Sequence, residues 1–158
     1  MTTITTPKTD YLALARRYAA SPDDWPFAPR FNPHQRWYHR LASEPHGEVW
    51  ILTWLPGQGT DLHDHGGAIG AFFVVSGTLT ERTVTNSAAG SARFNDRLYR
   101  GGQGRSFGGH HIHQVTNHGT EPAISVHVYS PALAEMTRYD VAGGRLVVTA
   151  VDRAGADW

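Results

Sequence analysis

The chain lacks cysteine entirely, which removes a whole class of chemistry. Its 158 residues include no Cys, so disulfides, thiolate metal ligands and cysteine nucleophiles are all excluded. Histidine and the carboxylates are the strong metal ligands that remain, and 10 histidines are present. Any metal bound by this chain is therefore held by nitrogen and oxygen atoms.

The chain also lacks an excess of charge of either sign. Its 14 Lys and Arg residues balance 14 Asp and Glu residues. Because no basic stripe stands out, nucleic acid and an acidic membrane surface are disfavoured as partners. We expect a small molecule as the main partner, and either a monomer or a small homo-oligomer.

Long apolar runs are missing as well. No stretch approaches the length that spans a bilayer, and residues 1–7 have neither a charged start nor an apolar segment of the kind that directs secretion. We therefore expect a cytoplasmic protein. The length suits one domain with a real core, so a single domain over residues 1–158 is predicted.

The predicted secondary structure changes character near Gly47. Before it, helical spacing of apolar residues predicts a helix over residues 9–20, capped by Thr9 and ended by Ser21-Pro22. A proline-rich segment follows, and we expect a short helical turn around residues 34–38. After Gly47, runs rich in β-branched and aromatic residues predict strands at 49–55, 69–76, 79–84, 123–129 and 146–151. Many short strands favour an all-β barrel over about 47–151, with the helix packed outside it.

The spacing of glycines and histidines resembles the two motifs of the cupin superfamily. The first motif is matched by Gly57, His63-x-His65 and Gly77, with Gly70 where a glutamate ligand is usual. The second motif is matched by Gly109, His113 and Asn117. The pair of motifs implies a small jelly-roll β-barrel.

Strand geometry favours a metal site built from the first motif. Alternate residues of a strand share a face, so His63 and His65 are expected to point into the barrel and Asp64 away from it. A lone histidine is usually a packed or surface residue, but this pair followed by His-x-x-x-Asn favours ligands, with His113 as the third.

Two other histidines compete with His113 for the third ligand position. His111 is the rival for the third ligand, because it shares the strand face of His113, and His110 is a weaker rival. The remaining histidines are expected on the surface or in loops: His34, His39, His46 and His118. Three neutral imidazoles leave a divalent charge uncompensated and coordination positions open, which favours non-haem Fe(II) with an anionic thiolate and dioxygen.

Over about residues 30–132 the chain resembles the cysteine dioxygenase family, which are cupin thiol dioxygenases. The resemblance is carried by His63-Asp64-His65, by the string from His113 to Asn117 and by Ser125-Val126-His127-Val128-Tyr129-Ser130-Pro131. It implies one mononuclear Fe(II), with O2 as co-substrate, adding both oxygen atoms to a thiol sulfur. The expected reaction converts L-cysteine to cysteine sulfinic acid.

The resemblance also implies roles for the last of these segments. Ser125, His127 and Tyr129 correspond to a catalytic set in the family. Alternation places them on one strand face, where the serine hydroxyl can orient the imidazole and the imidazole can orient the phenol towards the metal. A half-buried polar strand is the structural alternative.

Upstream, Trp37-Tyr38-His39-Arg40-Leu41 resembles a family segment that faces the active site. By this resemblance Arg40 binds the substrate carboxylate through its paired donors, and Tyr38 lines the same pocket. Arg36 is the rival if the local alignment slips. The structural alternatives are a surface charge for Arg40 and a packing role for Tyr38. Family relatives that act on 3-mercaptopropionate have glutamine here, so arginine favours cysteine.

The chain departs from the mammalian pattern at Gly70. Mammalian members have a cysteine there, joined by a thioether bond to the tyrosine that corresponds to Tyr129; with no cysteine, this crosslink is impossible. We expect the glycine to widen the pocket, which keeps 3-mercaptopropionate, cysteamine and larger thiols such as ergothioneine as alternative substrates. A cupin isomerase, a quercetinase-like enzyme and a non-catalytic ligand-binding cupin are the further alternatives.

Overall fold

Two antiparallel sheets make up most of the molecule. The computed structural model describes residues 8–45, 47–86 and 90–158, so the expectations about residues 1–7 and His46 fall outside the described part. One α-helix, α1, spans Tyr11–Ala20, and a short 3-10 helix spans Pro22–Asp24. The strands within the described residues are β1 Trp37–Glu44, β2 Gly47–Trp54, β3 Leu62–His63, β4 Ile69–Ser76, β5 Thr78–Asn86, β6 Ala92–Arg100, β7 Gly104–Phe107, β8 His113–Thr116, β9 Ala123–Ser130, β10 Glu135–Ala142 and β11 Arg145–Arg153.

The strand order is that of two sheets with crossing connections. One sheet has the order β1-β2-β9-β4-β7 and the other β11-β10-β3-β8-β5-β6. All strand pairs among the described residues are antiparallel. Each sheet packs one face against the other sheet. This is possible because side chains alternate along an antiparallel strand, so one face of the sheet can be apolar and the opposite face polar. The all-β prediction is confirmed.

Helix α1 lies on the outside of the five-stranded sheet, as predicted. Ala15 and Ala19 are buried one helical turn apart and pack with Val49, Phe73 and Val126. Small side chains on this face let the helix approach the sheet closely. The sheet therefore has both faces covered where the helix crosses it.

The N-cap of α1 was predicted one residue too early. The side chain of Asp10, not Thr9, accepts a hydrogen bond from the backbone N–H of Ala13 at 2.9 Å. Either residue type can cap, and the local backbone decides which oxygen reaches the third helical N–H. The predicted end at residue 20 is confirmed, with Ser21 as the C-cap.

The predicted helical turn at residues 34–38 is wrong, because the chain there enters β1. This strand pairs along β2, with Tyr38 opposite Leu52 and Arg40 opposite Trp50. Long-range pairing decides the conformation of this segment, whose local sequence is ambiguous. The β structure therefore begins at Trp37, ten residues before the predicted start at 47.

The space between the sheets is divided between an apolar cluster and a polar interior. The apolar cluster includes Trp54, Phe72, Leu79, Tyr99 and Val115, all buried. Beside it lie four buried histidines: His63, His65, His113 and His127. No helix among the described residues has the length and apolar character needed to cross a membrane.

Candidate metal centre and active site

Three histidines converge on one point between the sheets. His63 ends β3 and His113 begins β8, and the two residues are directly paired across the sheet. The ring centroids are 5.0 Å apart for His63–His65, 4.8 Å for His63–His113 and 4.9 Å for His65–His113. One nitrogen of each ring lies within 4.8 Å of the others. The structure thus brings together the three predicted ligands in a nearly equilateral triangle.

Hydrogen bonds decide which nitrogen is available on two of these rings. Nδ1 of His63 lies 2.8 Å from the carbonyl oxygen of Asp61, and Nδ1 of His113 lies 2.8 Å from Oε1 of Glu81. A carbonyl and a carboxylate only accept, so both Nδ1 atoms carry a hydrogen and both Nε2 atoms keep a free lone pair. The lone pairs are what a metal requires.

His65 supplies the observation that tests whether a metal fits. Both of its ring nitrogens are buried without a hydrogen-bond partner among the described residues. Buried polar atoms are nearly always partnered, and a metal ion is one explanation for an exception. The ring stacks on Phe107 at 4.7 Å between centroids, which fixes its orientation. A metal at the centre of the triangle fits these residues.

The three imidazoles are held neutral, as ligands must be. Burial, followed by the proximity of His113, lowers the pKa of His63 to about 3. Burial likewise holds the pKa of His65 well below its ordinary value. Burial also lowers the pKa of His113, against the opposing hydrogen bond to Glu81. Each ring therefore offers a lone pair at neutral pH.

The rival histidines are engaged elsewhere. Nε2 of His111 lies 2.8 Å from Oε1 of Glu81, the same oxygen that binds His113. Glu81, His111 and His113 also have ligand atoms within 4.8 Å of one another, but those atoms are already hydrogen-bonded together. His110 is exposed. His113 is thus the ring that completes the triangle.

The expectation that Gly70 widens the pocket is wrong. A Cβ on Gly70 would collide with the backbone carbonyl of Val128 and lie 3.1 Å from Cζ of Phe107. Gly70 is also absent from the residues that line the cavity. The glycine is needed because β4 and β9 approach closely here, with Gly70 paired to Tyr129.

Ser125, His127 and Tyr129 form a hydrogen-bonded chain along β9. Trp54 donates from its indole N–H to the Ser125 hydroxyl at 2.9 Å. The hydroxyl lies 2.8 Å from Nε2 of His127, and Nδ1 of His127 lies 3.3 Å from the Tyr129 hydroxyl. All four side chains are buried. The predicted set is therefore brought together, with Trp54 as a further member.

Only the first hydrogen bond of this chain has a fixed direction. Trp54 can only donate, so the Ser125 oxygen accepts from it. Ser125 can still donate to Nε2 of His127 or accept from it, and the tautomer of His127 decides between the two. Burial, then His113 and Arg36, hold the pKa of His127 well below its ordinary value, so this ring is neutral. With the hydrogen of His127 on Nδ1, the Tyr129 O–H can donate into the cavity; with the hydrogen on Nε2, it donates to Nδ1.

A cavity of about 360 Å³ adjoins these groups. His63, His113, His127 and Tyr129 form part of its wall. Burial raises the pKa of Tyr129, an effect that Arg36 opposes and Glu48 reinforces. The phenol is therefore protonated at neutral pH and can act as a hydrogen-bond donor.

Arg36 and Arg138 both line this cavity, and Arg138 is already paired with Asp61 and Asp152. Arg36 is held differently. Its guanidinium carbon lies 5.0 Å from the centroid of the Trp54 ring, and the residue is half-buried. Within the described ranges no carboxylate lies within 4.0 Å of its guanidinium. A half-buried guanidinium without a carboxylate partner suits an anionic ligand.

The structure does not bring Arg40 to the cavity wall. Its side chain is 56% exposed, and Nη1 lies 3.8 Å from a carboxylate oxygen of the buried Glu48. Tyr38 and Arg40 share one side of β1 by alternation, Arg36 directly precedes the strand, and Tyr38 does line the cavity. Arg40 lies further along the strand, beyond the cavity, where Glu48 attracts it.

Two contributions were missed by sequence reasoning. Glu81 was not considered, although it stands in the buried phase of β5 with Leu79, and a carboxylate on an apolar face is a detectable signal. The second is the C-terminal part of the chain, whose Trp158 lines the cavity and packs with Tyr129 and Leu133. No local pattern predicted that contact.

Together, the double sheet and the histidine triangle define a cupin with a candidate metal centre. Solved structures agree on the fold. A Klebsiella pneumoniae protein with a double-stranded β-helix domain superposes with a TM-score of 0.60 at 19% identity, covering 75% of this chain and 88% of that one. A Thermus thermophilus protein superposes with a TM-score of 0.56 at 20% identity, covering 66% and 90%.

The particular family follows from sequence comparison. The model of the family "Cysteine dioxygenase type I" matches residues 8–142. Cysteine dioxygenase type 1 of Homo sapiens is 26% identical over 137 residues, covering 81% of this chain and 67% of the human one. That of Danio rerio is 27% identical over 137 residues, covering 80% and 67%. This chain belongs to the cysteine dioxygenase type I family, and it is an oxidoreductase of the dioxygenase class.

Proposed function

We propose that this protein is an Fe(II)-dependent thiol dioxygenase that converts L-cysteine to cysteine sulfinic acid. The observation that carries the proposal is the triangle of neutral imidazoles, in which neither nitrogen of His65 has a hydrogen-bond partner in the described part of the chain. Beside it lies a cavity with an arginine that has no carboxylate partner within reach among the described residues. Family membership supports the same chemistry.

The metal would be held by Nε2 of His63, Nε2 of His113 and a ring nitrogen of His65. Imidazole suits several divalent metals, so the ligand type by itself does not select iron. Iron is favoured because a site with three neutral ligands has positions and charge for a thiolate and dioxygen. When bound, Fe(II) supplies the redox chemistry that joins dioxygen to sulfur.

The reaction balances without a further reductant. A thiolate and O2 give a sulfinate, in which both oxygen atoms are bonded to sulfur. Sulfur loses four electrons and dioxygen gains four. Because no reductant has to be supplied, the residues of the cavity wall need only bind, orient and protonate the reacting groups.

Arg36 takes the substrate carboxylate in this proposal, in place of Arg40. Its guanidinium faces the cavity that His63 and His113 border, and Trp54 packs against it. Two parallel donors fix a carboxylate in both distance and orientation. Holding the carboxylate presents the thiol sulfur towards the metal centre in one direction.

Tyr129 acts as a hydrogen-bond donor into the cavity. In this proposal Ser125, which accepts from Trp54, donates to Nε2 of His127, and the hydrogen on Nδ1 of His127 points to the Tyr129 oxygen. Its own O–H is then free to stabilise negative charge that develops on the oxygen or sulfur atoms of the reacting groups. Ser125 and His127 act through Tyr129, so they are positioning residues.

A larger thiol is the second candidate substrate. The cavity of about 360 Å³ falls within the range of about 300–1,000 Å³ that is typical of cavities for drug-sized ligands. Tyr38, Trp50 and Trp158 line it with aromatic surface. This volume, rather than Gly70, keeps ergothioneine and other large thiols as alternatives to cysteine.

A thiol panel tests the proposal. The protein is loaded anaerobically with Fe(II), mixed with air-saturated buffer and one thiol, and followed by oxygen uptake and product mass. The thiols are L-cysteine, 3-mercaptopropionate, cysteamine and ergothioneine. We expect one O2 consumed per thiol and a mass gain of two oxygen atoms, greatest in rate for cysteine.

The control for this experiment is a pair of histidine variants. His65→Ala removes a proposed ligand and should abolish uptake, whereas His118→Ala changes an exposed residue and should not. Disulfide as the sole product, or equal uptake by His65→Ala, would contradict the dioxygenase proposal. A sulfinate from ergothioneine but not from cysteine would contradict only the choice of substrate.

A further inference from the structure

Glu81 is a carboxylate enclosed beside the histidine triangle without being part of it. The residue is 1% exposed, and its two oxygens meet three donors. Oε1 lies 2.8 Å from Nδ1 of His113 and 2.8 Å from Nε2 of His111. Oε2 accepts from Nη1 of Arg105 at 3.2 Å. Carboxylates are almost never buried this completely unless they are paired, and Glu81 is paired with all three donors.

The sheet register explains how Glu81 reaches His113. Strands β5 and β8 pair so that Thr83 lies opposite His113 and Glu81 lies opposite Val115. Glu81 and His113 are therefore diagonal neighbours on one face, a separation that a long side chain can bridge. The contact depends on the strand pairing, so the carboxylate is held where the imidazole needs it.

We propose that Glu81 is the positioning residue of the metal centre, holding His113 with its Nε2 directed at the metal. The inference rests on the proposed three-histidine metal site and adds a residue to it. A carboxylate that accepts from Nδ1–H fixes the tautomer and the ring orientation, and it increases the basicity of Nε2. Neither Gly70 nor any of the three ligands supplies such an anchor.

His111 and Arg105 anchor the carboxylate in turn. His111 shares Oε1, and its ring stacks on Phe107 at 5.1 Å between centroids. Phe107 also stacks on His65. The carboxylate cannot rotate away from His113 without breaking two other hydrogen bonds. His111, a rival for the third ligand in the sequence, therefore supports Glu81, which in turn holds His113.

The first test measures metal affinity rather than turnover. Glu81→Gln keeps the shape and removes the charge, and Fe(II) binding is measured anaerobically by competition with a coloured chelator. We expect affinity to fall by about 10–100-fold, the usual loss on removing such a partner. Asp96→Asn is the matched control, because Asp96 is an exposed acid that pairs with Arg82 on the same sheet, and its affinity should match the wild type.

Wild-type affinity in a folded Glu81→Gln protein would overturn the inference. That result leaves the proposed function intact, whereas a wild-type protein that binds no Fe(II) would sink the proposed function itself. A lower unfolding temperature with unchanged affinity would assign Glu81 to folding alone.

The second test uses the wild-type protein and so does not depend on a variant folding. The protein is labelled with ¹⁵N at histidine, loaded with Zn(II) as a diamagnetic probe, and its imidazole nitrogens are observed by NMR. We expect His113 to keep its hydrogen on Nδ1 and to coordinate through Nε2. Coordination through Nδ1, with the hydrogen on Nε2, would refute the role of Glu81.

Discussion

At the scale of single residues, Arg36 and Arg40, the two arginines predicted as candidates for binding the substrate carboxylate, differ in their existing contacts. Arg36 stacks on Trp54 and faces the cavity, whereas Arg40 is mostly exposed beside Glu48. An arginine that already pairs with a carboxylate has fewer donors available for a substrate carboxylate. The residue best placed to recognise a substrate anion is thus the one four positions earlier in the chain.

A matched pair of variants tests this assignment. Arg36→Gln should lower kcat/KM for L-cysteine by about 10–100-fold, because a hydrogen bond to a charged group contributes about 1.5–3 kcal/mol. Arg40→Gln should change it little. Cysteamine, which has no carboxylate, should be affected much less by Arg36→Gln, and steady-state oxygen uptake measures all four values. The opposite ranking of the two variants would return the role to Arg40.

At the scale of elements, the start of α1 depends on a single side chain. The carboxylate of Asp10 accepts from Ala13, while Thr9 is exposed. The helix then packs Ala15 and Ala19 on the five-stranded sheet. Loss of the cap therefore weakens both the helix and its contact with β4 and β9.

Asp10→Ala should lower the free energy of unfolding by about 1 kcal/mol, the typical contribution of an N-cap. Thr9→Ala is the control and should have almost no effect. Urea unfolding followed by far-UV circular dichroism gives both values. Equal losses for the two variants would show that the two residues share the cap.

The pairing of β4 with β9 imposes a second local requirement. Gly70→Ala places a methyl group against the Val128 carbonyl and the Phe107 ring. We expect a loss of about 1–3 kcal/mol or more, since overpacking forces backbone shifts. Gly108→Ala is the control, because a Cβ there meets nothing within 4 Å.

Thermal unfolding of the metal-free proteins measures the difference between these glycine variants. Equal stability of Gly70→Ala and Gly108→Ala would contradict the close approach of the two strands. The same crowding predicts that Gly70→Glu cannot add a carboxylate ligand to the candidate metal centre. Anaerobic Fe(II) binding tests this, and tighter binding by Gly70→Glu than by the wild type would contradict it.

At the scale of the whole molecule, the buried histidines of the candidate metal centre make stability depend on pH. The pKa values of four histidines lie below the ordinary value, chiefly through burial: His63, to about 3, and His65, His113 and His127. Between pH 7 and 5.5 the unfolded chain binds protons at these residues and the folded protein does not. Stability must therefore fall as the pH falls through this window.

Acidic residues do not reverse this slope. Burial by itself would raise the pKa of Glu81, but hydrogen bonds from His111 and His113 hold it well below its ordinary value. Its contribution is lost only at lower pH, where the unfolded carboxylate takes up a proton. The window from pH 7 to 5.5 thus isolates the histidines.

The free energy of unfolding of the metal-free protein should fall by more than about 1 kcal/mol from pH 7 to 5.5, since each buried histidine adds up to about 1.4 kcal/mol per pH unit. Urea unfolding with chelator present at both pH values measures it. The double variant His110→Asn/His118→Asn changes only exposed rings and should keep the slope. A stability independent of pH would show that these histidines are not buried in the neutral form.

Sequence alone was enough for the all-β cupin fold, the outer helix and the family, because these rest on periodicity and on motif spacing within short stretches of chain. It also singled out His63, His65 and His113, which the folded chain brings together. Strand alternation extends such reasoning over a few residues, and Ser125, His127 and Tyr129 fall within that range.

Only the tertiary structure decided which neighbours those residues meet. Whether Arg36 or Arg40 faces the cavity depends on the pairing of β1 with β2 and on Glu48. The contact of Glu81 with His113 depends on the register of β5 against β8. The position of Trp158 depends on the fold of the last strands. These contacts join residues that are far apart in the chain. Packing and charge in the folded structure select them, and no local sequence pattern predicts them.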